Sequence, residues 1–251
     1  TEYFREIKSS IAAKSDDDDS SSSEDVSLYA VWGAYEFNVD GSMYGKSLDT
    51  VSSDGLWYFP EDETDATKGG GFYTAKQLKT IRKSKMTHSA DKKLKLLKPK
   101  KPGYTFSMWS IRNAEDGKEI TTDKSGIPKG SECAKDIYVV PIWTENVFFI
   151  TFDGNGGMVD GSKKLKDLTE YKYTTSVNMV SANRVTTIPG KTDGKKLVGW
   201  SFNKKDVTPV FKAGQSVTKL TLYDPKKDKS SGYGKLSFKK KAKIKIYAIW
   251  Q

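Results

Sequence analysis

The chain has 251 residues, 36% of them apolar and 12% aromatic, and carries a formal charge of +10. The apolar share is below that of an ordinary globular domain, so its cores are small and rest on Tyr, Phe and Trp. No apolar run approaches the roughly 18 residues of a membrane-spanning helix, and Cys133 is the single cysteine, which excludes an internal disulfide.

The first residues, "TEYFREIKSS", lack the apolar core of a signal peptide and read as the cut edge of a longer protein. Residues 15–25, "SDDDDSSSSED", hold no apolar residue to bury and read as a linker. Their acids lack the spacing and turn glycine of a calcium loop. Next, "VSLYAVW" (26–32) alternates like a half-buried strand, with Val26, Leu28, Ala30 and Trp32 on one face. The pattern returns as "IYVVPIW" (137–143) and "KIKIYAIW" (243–250), with Ile246, Ala248 and Trp250 inward and lysines outward. Pro141 removes a ladder donor from the middle copy, which predicts an edge strand or a bulge there.

A strand follows each of the first two Trp strands: "AYEFNVDG" (34–41) and "VFFITFDGNGG" (147–157). Phe37 superposes on Phe152 and Gly41 on Gly156, so a tight glycine turn is expected behind each. Further on, "KPGYTFSMWS" (101–110) matches "DGKKLVGWSF" (193–202), with Trp109 over Trp200. "IPKG" (127–130) and "FKAG" (211–214) form a looser fourth pair. Trp32, Trp143 and Trp250 thus mark a period of about one hundred residues. The predicted organisation is a preceding-repeat tail (1–33), a repeat domain 34–144 with a large insertion 42–100, and a repeat domain 145–251 with a hairpin insertion 218–241. Within 42–100, "TAKQLKTIRKSKM" (74–86) has helical spacing and "KLKLLK" (93–98) alternates like a strand.

These blocks resemble the Listeria–Bacteroides repeat, also called the internalin B-repeat. The resemblance rests on Phe152, Gly154, Asn155, Gly156, Gly157, Gly199, Trp200, Tyr247, Ala248 and Trp250. In the first repeat it rests on Gly103, Tyr104, Phe106, Trp109 and Trp143, and in the tail on Tyr29, Ala30 and Trp32. It implies a mainly β, α+β class: tandem β-grasp-like domains, each a small mixed sheet with at most one short helix. It also implies an extracellular place on a bacterial cell surface, as a fragment of a larger protein. Both repeats exceed the family's usual length because of their insertions.

No catalytic constellation is legible. The only histidine, His88, sits in the polar stretch "KMTHSADKK" and reads as a surface residue. "FDGNGG" (152–157) fails as a calcium loop, which leaves it a turn role, and "KGGGFY" (68–73) fails as a phosphate loop because no Gly-Lys-Ser/Thr follows. No enzyme, cofactor or metal site is expected. The insertion's Trp57, Tyr58, Phe72 and Tyr73 are the candidate ligand-binding residues, since flat rings stack on the C–H faces of sugars and anchor protein partners. Alternation places Trp57 and Phe59 on one face and Tyr58 on the other. Eleven basic residues lie in 76–101 and nine lysines in 226–245, each run against a single acid. Such runs suit a polyanionic cell-wall polymer or a solvated face that blunts strand edges. Only four of the 42 basic residues are arginine, which argues against nucleic acid. The expected function is a monomeric, non-catalytic module that binds a glycan or glycoprotein; the alternative is a stalk with no ligand of its own.

Overall fold

The computed structural model describes residues 37–38, 44, 46–84, 87–89 and 91–251. The expected tail (1–33), its acidic linker (15–25) and the glycine turn at Gly41 lie outside them. By contacts, residues 34–251 form one compact unit. Its described elements are small sheets, one of them mixed, and a single α-helix, so the class is the expected mainly β, α+β one.

The helix, α1 (Ala75–Lys83), lies within the stretch whose spacing predicts it. Thr74 caps it: its hydroxyl accepts from Gln77 N at 3.4 Å, and Gln77 Oε1 accepts from Thr74 N at 3.0 Å. This reciprocal box satisfies donors that the first turn leaves open. Leu78 and Ile81 are buried, while Lys76, Lys79, Arg82 and Lys83 face solvent.

The strands of the two main sheets are numbered β1–β8. In the first half, β1 (Tyr104–Asn113) lies between β2 (Glu119–Asp123) and β3 (Ile137–Glu145), all antiparallel. In the second, β4 (Val147–Asp153), β5 (Lys164–Lys172), β6 (Leu197–Ser201), β7 (Phe211–Lys212) and β8 (Lys241–Trp250) form a mixed sheet. Its order is β5-β4-β8-β6-β7, with β4 and β8 parallel.

The repeat seen in the sequence survives as identical strand register. Phe106 faces Trp143, Met108 faces Ile142 and Trp109 faces Pro141, with a bulge between Phe106 and Met108. Leu197 faces Trp250, Gly199 faces Ile249 and Trp200 faces Ala248, with a bulge between Leu197 and Gly199. Position for position, these are the same pairs and the same bulge. Trp109 and Trp200 are both fully buried at the same point of their sheets. On β8, Ile244, Ile246 and Ala248 are buried and Lys241, Lys243 and Lys245 exposed, as alternation predicts; Trp250 is half-buried.

The halves differ on the far flank of the closing strand. In the second half β8 is central and β4 pairs with it from Val147–Lys241 to Asp153–Tyr247. In the first half β3 is an edge strand, as Pro141 predicts. Among the described residues its free flank meets only 67–69: Gly69 N donates to Pro141 O at 2.9 Å, and Trp143 N to Thr67 O at 2.8 Å. Pro141 has no N–H to offer on that flank. Phe37 and Asn38 pair antiparallel with His88 and Thr87 instead, so Phe37 does not occupy the place of Phe152.

The glycine turn also changes source. Trp250 Nε1 donates to Gly154 O at 2.9 Å, and a Cβ at Gly157 would lie 2.3 Å from its ring. In the first half Trp143 Nε1 donates to Gly69 O at 2.8 Å, and a Cβ at Gly71 would lie 2.6 Å from its ring. The triplet Gly69–Gly71 of "KGGGFY" therefore does what "GNGG" does in the other half. Asn155 locks that second turn, donating from Nδ2 to Ala248 O at 2.8 Å and Lys204 O at 3.0 Å.

The expected hairpin 218–241 is mostly two 3-10 turns, Leu220–Tyr223 and Lys235–Phe238, joined by a short bridge between Lys227 and Gly234. It packs against the first half. Asn146, 4% exposed, donates from its backbone to Gly103 O at 2.7 Å and from Nδ2 to Ser237 O at 3.1 Å. Gly103 N donates to the same Ser237 carbonyl at 2.8 Å. Gly103 has φ +86°, and a Cβ there would sit 2.0 Å from the Tyr173 ring. One seam thus joins the two halves through backbone atoms.

Candidate ligand-binding groove

Trp57, Phe72 and Tyr73 are 0% exposed, so three of the four candidate ligand contacts are core residues and no sugar face reaches them. Strand Trp57–Tyr58 pairs with Phe72–Tyr73, which splits the four rings between two faces. Trp57 and Tyr73 join Tyr44, Phe59 and Trp109 in an aromatic core, with Trp57 and Phe59 rings 4.7 Å apart and Phe59 and Tyr73 5.0 Å apart. Burial pushes the Tyr44 hydroxyl up to about 12 and the Tyr73 hydroxyl well above its ordinary value. Tyr58 and Phe72 face the other way, as alternation predicts for Tyr58. Phe72 stacks on Tyr233 at 5.6 Å, and the Tyr58 hydroxyl meets that of Tyr233 at 3.2 Å. Of the four, Tyr58 alone is partly exposed, and it donates to Asp54 Oδ2 at 2.6 Å.

His88 is not a surface residue either: it is 0% exposed. Its Nε2 is hydrogen-bonded to the Cys133 carbonyl, which can only accept, so Nε2 carries the proton. Cys133 is 4% exposed, and burial, with the Glu132 carboxylate beside it, pushes its thiol up. A protonated, covered thiol is no nucleophile.

The seam opens outwards into a groove of about 400 Å³. Tyr104 and Phe106 of β1 and Trp143 of β3 form one side, and Phe238 of the 3-10 turn forms the other. Phe106 and Phe238 are half-exposed, whereas Tyr104 and Trp143 show only an edge. Lys98, Lys100, Lys101 and Lys235 rim the groove with a single acid, Asp228. The two basic runs of the sequence therefore converge: three lysines come from the first and one from the second.

These lysines differ in what holds them. Lys101 donates to Ala66 O at 2.8 Å and Gly69 O at 3.2 Å, and its ammonium lies 5.0 Å from the Tyr104 ring. Burial pulls its pKa down. Lys100 bridges the halves, reaching Asp228 at 3.4 Å and Ser230 Oγ at 3.0 Å. Hydrogen bonds from Ser230 and Ser231, with Lys100 beside them, hold the Asp228 carboxyl at about 2. Lys98 and Lys235 are exposed and form no ion pair among the described residues. Lys98 lies 6.0 Å over Phe106, the outer limit of a cation–π contact.

No family model, curated protein or solved structure matches this chain. The groove itself was not legible in the sequence. Its parts were: "GYTF" and "IYVVPIW" as repeat blocks, and both lysine runs as charge. What brings them together is the seam at Ser237, a contact between segments over ninety residues apart.

Proposed function

We propose that this chain is a non-catalytic, extracellular module of a bacterial surface protein that captures a glycan or glycoprotein in the groove beneath the seam. The observation that supports the reading is the pairing of half-exposed rings with a polar rim. Phe106 and Phe238 offer flat faces for sugar C–H groups, and the exposed ammonium groups of Lys98 and Lys235 offer partners for hydroxyls. The cell-surface assignment rests on the resemblance of the repeat blocks, which share register as well as sequence.

Affinity electrophoresis through gels containing polysaccharides tests the reading. Retardation is expected with at least one polymer, and Phe106→Ala and Phe238→Ala are each expected to reduce it several-fold without unfolding the chain. A spacer gives a different result: no retardation on any polysaccharide or mucin, and only a stability change from either substitution.

A further inference from the structure

The groove carries four lysines and one aspartate, a net +3 on its rim. That aspartate does not oppose an incoming anion. Its carboxylate is held by Ser230 and Ser231 hydroxyls and by Lys100, so its charge is already matched. Lys101 is turned into the wall, against the carbonyls of Ala66 and Gly69. Two cations stay uncommitted, Lys98 and Lys235, one contributed by each half of the molecule. Phe106 and Phe238 likewise come one from each half. The groove is therefore doubled in its chemistry: a half-exposed ring and an exposed ammonium on either side, with Lys98 6.0 Å over Phe106 and Lys100 5.6 Å over Phe238.

We propose that its ligand is an anionic glycan, with acid groups on Lys98 and Lys235 and the apolar faces of its sugars on Phe106 and Phe238. This rests on the glycan reading above and narrows it to acidic sugars. A neutral glycan leaves two ammonium groups unused. A polyanion without sugars leaves two half-exposed rings unused. Only a polymer that carries both acids and ring faces uses all four side chains.

The experiment compares matched probes on the whole chain by affinity electrophoresis and by titration calorimetry. The acidic probes are polygalacturonate, hyaluronan and chondroitin sulfate. Their neutral partners are fully methyl-esterified pectin, carboxyl-reduced hyaluronan and desulfated, carboxyl-reduced chondroitin. Polyphosphate serves as the sugarless polyanion. The expected result is binding to an acidic probe, loss with its neutral partner, and weakening with added salt. Lys98→Ala with Lys235→Ala is expected to weaken that binding by roughly tenfold, as two exposed ion pairs allow. Phe238→Ala should weaken the acidic glycan but not polyphosphate. Equal binding of a probe and its neutral partner overturns this inference and leaves the glycan reading standing. Binding of polyphosphate as tight as any glycan, untouched by Phe238→Ala, overturns both, and so does silence on every probe. A melt of each variant separates lost binding from lost fold.

Discussion

Trp57 is one of five rings packed around Tyr44 and Phe59, and lies 5.6 Å from Tyr44, 4.7 Å from Phe59 and 5.9 Å from Tyr73. Its indole N–H donates to Ser47 O at 2.7 Å, which ties the start of the insertion to the core. Removing such a side chain leaves a cavity among aromatic neighbours and an unmatched carbonyl. Trp57→Ala is therefore expected to cost about 3–5 kcal/mol, read as a fall in the urea midpoint. Phe238→Ala, at a half-exposed ring, should cost less than half of that. A Trp57→Ala variant that keeps wild-type stability would remove this residue from the core.

At the scale of elements, the two closing strands end in the same clasp. An indole ring lies over a glycine whose Cβ position is already occupied, and its N–H holds a glycine carbonyl in the same turn. At Gly157 the obstacles are the Trp250 ring at 2.3 Å and the Thr186 carbonyl at 2.7 Å. Gly157→Ala is expected to destabilise by about 1–3 kcal/mol, the usual cost of overpacking. Part of that loss should vanish in a Trp250→Ala background, where the ring has gone and the Thr186 carbonyl remains; fully additive costs would show that the ring is not an obstacle. The clasp also shows what the sequence could and could not tell. Period-2 alternation and the Trp spacing located the strands of both repeats, because strand burial is local. The helix was legible for the same reason, from the spacing of Leu78 and Ile81. The first glycine turn was sought at Gly41, directly behind a Phe strand as in the second repeat. Gly41 lies outside the described residues, and the turn that clasps Trp143 is Gly69–Gly71, in the insertion. Nothing local distinguishes a displaced clasp from an ordinary loop glycine; Pro141, which denies β3 a donor on that flank, was the one hint. The ring pairs misled for a related reason. "WYF" and "FY" look alike exposed or buried, and only their mutual pairing, some fifteen residues apart, decides which face goes inside.

For the whole molecule the question is whether the halves unfold together. Gly103 and Asn146 share the Ser237 carbonyl, Phe72 stacks on Tyr233, and Lys100 pairs with Asp228. Residues 34–251 are one unit by contacts, so near neutral pH one cooperative calorimetric transition is expected for them. Acid should loosen this seam at a defined point. The Asp228 carboxyl titrates at about 2 in the folded chain, against an ordinary value of about 3.9 when unfolded. A depressed folded value means that the stabilisation is fully present above about pH 4 and is lost as pH falls through about 2. Asp123 adds to the same slope from the first half, where Ser125, Gly126 and Lys93 hold its carboxyl at about 2. The two can be told apart. Asp123→Asn should flatten the acid slope and leave a single transition near neutral pH, because its partners all lie within the first half. Asp228→Asn removes the charge that pairs with Lys100 across the seam. It should flatten the slope and also broaden the neutral transition, or split it in two. If both variants leave the acid slope unchanged, neither carboxylate is held as described, and the seam's stability lies in its backbone hydrogen bonds and stacked rings alone.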